Sequence, residues 1–391
     1  MVNLPKQSSM SIKVKYMRPL VKFRFEIAVL LIWALAIAAK YKYNGLIFGF
    51  DYGNYQPDGK YYTYMALEYL NHSPARSAQQ VVDWYLANGF KMNIFTIQDL
   101  MPSTSYAYPM ISHRILYPLL SVPFVAAFGI PGMLVIPGLS LLVLFLAIQK
   151  LSQKLNKPWI GLGVVLTLAL STTVLRWMMV NCTDALLVGL FAFVPFSILA
   201  FKQRSRWALP TLGLLIVLTS ATRFVLPFWL AILVVLAIRY KRIFEIGFLF
   251  LLSILCSIPA LQAQASSALL PAEADSPLYI KLAKLPLAFI KVFAIDIAEF
   301  GVLDRAFLVF ILFCFIQAIR LRKTLSAQLF TAVLFAGYII GAINGTLGVN
   351  FRYQIPVLIF SAWLVLDSLE ISEHNLRFVP STKGNIVVNK T

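Results

Sequence analysis

Long apolar runs separated by short basic clusters set the pattern of this chain. Runs near residues 25–43, 132–149, 158–178, 183–201, 207–221, 223–238, 243–261, 303–319, 326–343 and 352–369 offer no polar surface, and each predicts a helix bathed in lipid or in other helices. Lys13, Lys15, Arg18, Lys22 and Arg24 precede the first run. Four more clusters follow: Lys150/Lys154/Lys157, Lys202/Arg204/Arg206, Arg239/Lys241/Arg242 and Arg320/Arg322/Lys323. By the positive-inside rule all five belong to the cytoplasmic side, and ten spans with both termini inside satisfy that requirement. No small-residue cleavage site follows the first run, which therefore reads as a retained anchor.

Two further apolar stretches disturb this parity. Counting 115–128 as a crossing would move the Lys150 cluster outside, so it reads as a helix at or dipping into the outer interface. The stretch 278–300 carries Lys281, Lys284, Lys291, Asp296 and Glu299, a composition suited to an interfacial helix. The expected organisation is one all-α membrane unit over 1–391. It has cytoplasmic tails at 1–24 and 370–391, a large external loop at 44–131 and a second at 262–302. No internal repeat is visible.

Composition agrees with the pattern: 60% of residues are hydrophobic and 13% charged, with a mean hydropathy of +0.78. A net charge of +18 would suit a nucleic-acid binder, but the basic residues fall between apolar spans and serve topology, so no nucleic acid is expected. Cys182, Cys256 and Cys314 lie in or beside apolar segments, without disulfide or metal-ligand spacing.

The first external loop concentrates the polar chemistry. Asp51 and Asp58 stand among aromatics in Phe48-Gly-Phe-Asp51-Tyr-Gly-Asn-Tyr-Gln-Pro-Asp58-Gly59-Lys60-Tyr61-Tyr62. Asp58 is expected to cap a helix through Leu70, and Ser77 with Gln80 has capping-box spacing for a second helix ending at Gly89. Tyr61, Tyr62, Tyr64, Trp84 and Tyr85 suit two short helices lying on the bilayer surface.

Here the chain resembles a family. One span followed by an external loop with Asp58-Gly59-Lys60-Tyr61-Tyr62 is similar to the GT-C superfamily of polyprenyl-phosphate-sugar glycosyltransferases. His113-Arg114-Ile-Leu-Tyr117-Pro118 resembles the Arg-x-x-Tyr-Pro-Leu segment of bacterial members and of GPI mannosyltransferases. Thr183-Asp184-Ala-Leu-Leu resembles their outward-starting helix, and Ala221-Thr222-Arg223 and Asn350-Phe-Arg352-Tyr353-Gln-Ile-Pro356 their external arginine positions. The resemblance implies a GT-C-like fold of about ten spans, a polyprenyl-phosphate sugar donor and a glycan, lipid or protein acceptor. The chain lacks the acidic Asp-Asp or Glu-Asp pair of other members, so the smaller bacterial enzymes using polyprenyl-phosphate hexoses or pentoses are the nearest comparison. A bacterial inner membrane is the expected location.

The residues support the same chemistry on physical grounds. Sugar transfer from a lipid phosphate to a hydroxyl needs a base for the incoming proton and positive charge for the departing phosphate. Asp58 is the first choice for the base and Asp51 the second. Arg223 joins two apolar runs of 15 residues, each about 22 Å long, so their junction falls below the outer interface of a core roughly 30 Å thick. A guanidinium there meets an anion, lines a polar cavity, pairs with a buried acid or snorkels; donor phosphate binding is the sharper reading. Arg352 and Arg114 are further phosphate contacts or boundary anchors. Asp184 either favours its helix start or orients the acceptor or a divalent cation, and Tyr61 and Tyr62 are secondary contacts. Asp51 and Asp58 could together bind a cation. His72 and His113 fit no metal pattern, and Asn181-Cys-Thr183 and Asn344-Gly-Thr346 lie too close to spans to be useful sequons. The rival class is a transporter or flippase for a glycolipid or other anionic substrate, with Pro210 and Pro227 interrupting its helices; a non-catalytic membrane scaffold is a third reading.

Overall fold

The structure is a computed structural model that describes residues 23–47, 58–88, 96–102, 104–105, 108–266, 278–343 and 351–376. The described residues fold into helices joined by short turns and loops, with no strand among them. In chain order the helices are α1 Arg24–Ile47, α2 Gly59–Tyr69, α3 Pro74–Ala87, α4 Ile97–Leu100, α5 Tyr108–Ser112, α6 Leu116–Phe128, α7 Val135–Lys154, α8 Pro158–Leu170 and α9 Thr172–Met178. They continue as α10 Thr183–Phe191, α11 Val194–Lys202, α12 Ala208–Ser220, α13 Leu226–Arg239, α14 Ile243–Ser266, α15 Leu278–Leu303, α16 Arg305–Arg320, α17 Leu325–Ile343 and α18 Leu358–Leu376. Short 3-10 turns at Ile130–Leu134 and Ile355–Val357 lead into α7 and α18.

Four stretches among the described residues are long and apolar enough to cross a membrane: Ile130–Lys154, Thr183–Lys202, Ile243–Ala263 and Leu325–Ala342. A fifth is made if α8 and α9 count as one span, although they meet at 77°. Ten regular spans are therefore more than length and composition establish. Part of the difference lies in short helices: α12 and α13 have 13 and 14 residues, about 20 Å each. Side chains such as Phe244 (92% exposed) and Ile238 (76%) face outward, as a lipid-embedded surface requires.

The bend between α8 and α9 has a specific cause. Ser171 is extended (ψ 120), which ends α8, and its hydroxyl caps α9 by accepting from the Val174 amide at 3.0 Å. Asp304 locks this corner. One of its carboxylate oxygens accepts from the Ser171 hydroxyl at 2.7 Å and the Thr173 amide at 2.9 Å, and the other caps α16 through Phe307 N at 3.0 Å. One carboxylate thus fixes the starts of two helices.

Contacts across the bundle show which helix ends lie together. Lys150 at the end of α7 pairs with Glu26 at the start of α1, and Lys157 donates to the Leu366 carbonyl in α18 at 2.7 Å. Arg239 at the end of α13 reaches the Lys323 carbonyl, and Arg242 donates to the Phe201 carbonyl at 2.9 Å. The four basic clusters from Lys150 onward therefore share one end of the bundle; the residues before Phe23 lie outside the described ones. Helices α10, α13 and α18 run between that end and the opposite one, where Asp184, Arg223 and Arg352 sit.

Short helices pack over that opposite end. The Leu116 amide at the start of α6 donates to the Ala221 carbonyl at 3.1 Å, and the Tyr117 hydroxyl to the Met133 carbonyl at 2.8 Å, so α6 folds back onto the turn before α7. Gly129 (φ +67) makes that reversal, and a Cβ on Gly132 would lie 2.2 Å from the Phe124 carbonyl oxygen. Helix α2 packs on α6 with Tyr61, Tyr62 and Tyr64 buried; Tyr85 of α3 is buried as well. These rings fill the interior of the loop instead of lying along a headgroup layer. Helix α3 also starts one turn earlier than the Ser77 spacing suggests: Ser73 caps it through Arg76 N, and Pro74 takes the first helical position, where no donor is needed. Its expected stop at Gly89 lies outside the described residues, as do both chain ends and 267–277.

Helix α15 differs from a helix lying across the bundle end. Phe289 packs on Phe335, Phe293 on Tyr338 and Phe300 on Phe351, so α15 runs lengthwise beside α17 toward the Asp184 end. Its apolar residues outweigh the charges that suggested an interfacial position.

Candidate functional site

At the end opposite the basic clusters, two aspartates and three arginines meet. Asp58 precedes α2 in a helical conformation (φ −64, ψ −28), and its side chain makes no capping bond. This corrects the expectation of a cap. The carboxylate instead turns to Arg352, whose Nη2 donates to Oδ2 at 2.9 Å across 294 residues of sequence.

Arg352 is held from several sides. Phe351 before it takes φ 63, a left-handed conformation that a bulky residue adopts only under constraint. The constraint is visible: its ring is buried between Phe300 and Phe307, and its amide donates to Asp296 Oδ1 at 3.0 Å. The Arg352 guanidinium lies 5.1 Å from the Trp177 ring centre, and its Nε donates to Asp184 Oδ2 at 3.1 Å.

Asp184 lies in the first turn of α10 after Cys182, fully buried. Its Oδ1 accepts from Arg223 Nη1. Arg223, 6% exposed in the break between α12 and α13, also covers the Tyr353 ring at 4.5 Å. Of the readings open for Arg223, pairing with a buried acid is therefore the one observed. Both Asp184 oxygens accept from guanidiniums, which suits it to positioning the arginines.

Arg114, ahead of α6, donates from Nη1 to the Tyr62 hydroxyl at 2.9 Å, and its buried Nε has no hydrogen-bond partner among the described residues. Tyr61 points elsewhere: it packs on Tyr108 at 6.5 Å, and burial pushes its phenol up to about 12. Asp51 lies outside the described residues. His72 bonds Gln80 at 3.0 Å. His113 is pulled down to about 4 by burial and by the charge of Arg114, so its ring is neutral.

The surrounding protein pushes the Asp58 carboxyl up. Arg352, Arg114 and Arg223 oppose this more strongly and hold it below the usual carboxylate range. Asp58 is thus an ionised carboxylate, and at 38% side-chain exposure it is far more open than Asp184 (0%) or Arg352 (11%). Three guanidiniums against two carboxylates leave an excess positive charge. The cavity beside Arg223, Arg352 and Tyr353 is only about 10 Å³, room for about one water at most, so a larger anion would approach from the Asp58 side. Among the described residues no three His, Cys, Asp or Glu side chains gather as a metal site would require.

Sequence reasoning missed several residues that build this site. Trp177 supports Arg352 from helix α9, where nothing in the sequence points to that partner. Asn181 donates to the Tyr85 hydroxyl at 2.8 Å and packs so tightly on Gly59 that a Cβ there would fall 2.1 Å from its side chain. Asp296 carried a signal, as an acid in an apolar helix, but its target, a backbone amide 55 residues on, was not legible. No family model matches the chain, and no curated protein or solved structure matches it.

Proposed function

We propose that this protein is a membrane glycosyltransferase that moves a sugar from a polyprenyl-phosphate donor to an acceptor hydroxyl, with inversion. The observation that supports this reading best is Asp58: an ionised, partly open carboxylate set among Arg352, Arg114 and Arg223. In the proposed step Asp58 takes the acceptor proton as the acceptor oxygen attacks the anomeric carbon. The bond from that carbon to the phosphate oxygen breaks, and polyprenyl phosphate departs as an anion that needs no protonation. Arg352 and the unpartnered Nε of Arg114 supply charge where the anion develops. Arg223, committed to Asp184, supports from behind.

The orientation of the bundle fits this reading. With the basic clusters facing the cytoplasm, the site opens on the external face, as in a bacterial inner-membrane enzyme working on cell-envelope acceptors. The gathering of charges at one end, rather than at mid-depth between repeats, favours transfer chemistry over transport. A direct test compares wild type and Asp58→Asn with a panel of polyprenyl-phosphate sugars. General-base loss predicts a fall in turnover of about 10² to 10⁴-fold with the inverted product still made by wild type. Full activity in Asp58→Asn would remove the base from this role.

A further inference from the structure

We propose a second binding site, a groove between α15, α16 and α17 that holds the acyl chain of an anionic phospholipid with its head group on Arg322. The groove encloses about 500 Å³, within the roughly 300 to 1,000 Å³ typical of ligand cavities. Phe289, Phe293, Phe315, Phe330, Leu334 and Phe335 form its walls. Along α17 its lining runs from Phe330 to Tyr338, about 12 Å at 1.5 Å per residue, and beyond Ile319 it continues to Arg322 in the turn after α16, so the groove follows the helix axes as an extended chain would. It opens sideways, beside Ile319 (73% exposed) and Phe335 (54%), toward the side from which lipid would enter.

Charge selects the occupant. Arg322 lies at the basic end of the bundle, in the turn after α16, and its guanidinium meets no acid among the described residues. An accessible cation at the end of an apolar slot matches an amphiphile with an anionic head. Free phosphate would leave the aromatic walls uncovered, and a zwitterionic lipid would gain less from the cation. Basic pockets between membrane helices on the cytoplasmic side are suited to such head groups.

The far end of the groove reaches the charged cluster. Tyr338 lies beside Asp296, which holds the amide of Phe351, the residue before Arg352. Occupancy therefore bears on the wall that positions Arg352. The site itself does not depend on the transfer reaction proposed above.

The test is native mass spectrometry of the full chain, released from micelles after incubation with equal dioleoyl phosphatidylglycerol and dioleoyl phosphatidylcholine. Wild type should retain phosphatidylglycerol over phosphatidylcholine by about fivefold, the gain expected from one well-placed basic residue. Arg322→Gln should reduce the preference to parity, while Arg322→Lys keeps it. Thr331→Trp, at an exposed rim position, should displace both lipids. Equal retention by wild type, or undiminished lipid in Thr331→Trp, would overturn the proposal; the Lys variant separates loss of charge from loss of fold.

Discussion

Asp58 is ionised in the fold because three guanidiniums surround it, and this fixes the sign of its pH dependence. Its folded pKa lies below the unfolded value of about 3.9, so its stabilising contribution is present above that value and lost as pH falls through the folded pKa. If Asp58 is the base, the acidic limb of the rate profile should fall below the ordinary aspartate range. A limb near about 6 would instead point to a group such as histidine. Arg223 behaves differently, since its first partner is buried Asp184. Arg223→Gln leaves that carboxylate dependent on Arg352 alone and should destabilise the protein by about 3 to 5 kcal/mol, read as a lower melting temperature. The double variant Arg223→Gln with Asp184→Asn should recover much of that loss; no recovery would argue against the pairing. Asp58, Arg114, Asp184, Arg223 and Arg352 were all legible as candidates because charges are conspicuous beside apolar runs. Their pairing was not, since the sequence places Asp58 and Arg352 294 residues apart and assigns neither a partner.

Helices α12 and α13 show what local pattern could and could not reveal. The two apolar runs and the break at Arg223 follow from composition, but the break inside 158–178 does not, because Ser171 is an ordinary residue in a span until Asp304 arrives to hold it. Capping erred for a related reason: Asp58 has cap chemistry and helix-start position, yet a guanidinium outcompetes the helix amides for its side chain. Helix α17 makes a further dependence testable. A Cβ on Gly337 would lie 2.8 Å from the Tyr353 carbonyl oxygen and 2.9 Å from Gln354 Cα, both backbone atoms of the turn that carries Arg352. Gly337→Ala should therefore push that turn outward, costing about 1 to 3 kcal/mol and lowering transfer activity. A variant with unchanged melting and unchanged kinetics would show that the turn accommodates the methyl group freely.

Across the whole molecule, charge separates the two ends of the bundle. Basic loops gather at one and the Asp58 cluster at the other, an arrangement the spacing of Lys and Arg along the chain already indicates. Cysteine substitution tests the orientation. In a background lacking the native cysteines, a membrane-impermeant maleimide should label exposed Asp83→Cys on intact spheroplasts and exposed Gln203→Cys only after permeabilisation. The reverse result would turn the assigned topology over. How the helices pack was beyond the sequence: the charges of α15 point to an interfacial helix, and that it lies along α17 comes only from the rings that interlock there. Asp304 gives this packing a mechanical consequence. Since a single side chain grips the starts of α9 and α16, the two helices act as one lever. A shift of the α16 start would therefore be passed to the helix that bears Trp177, the ring on which the Arg352 guanidinium rests beside Asp58.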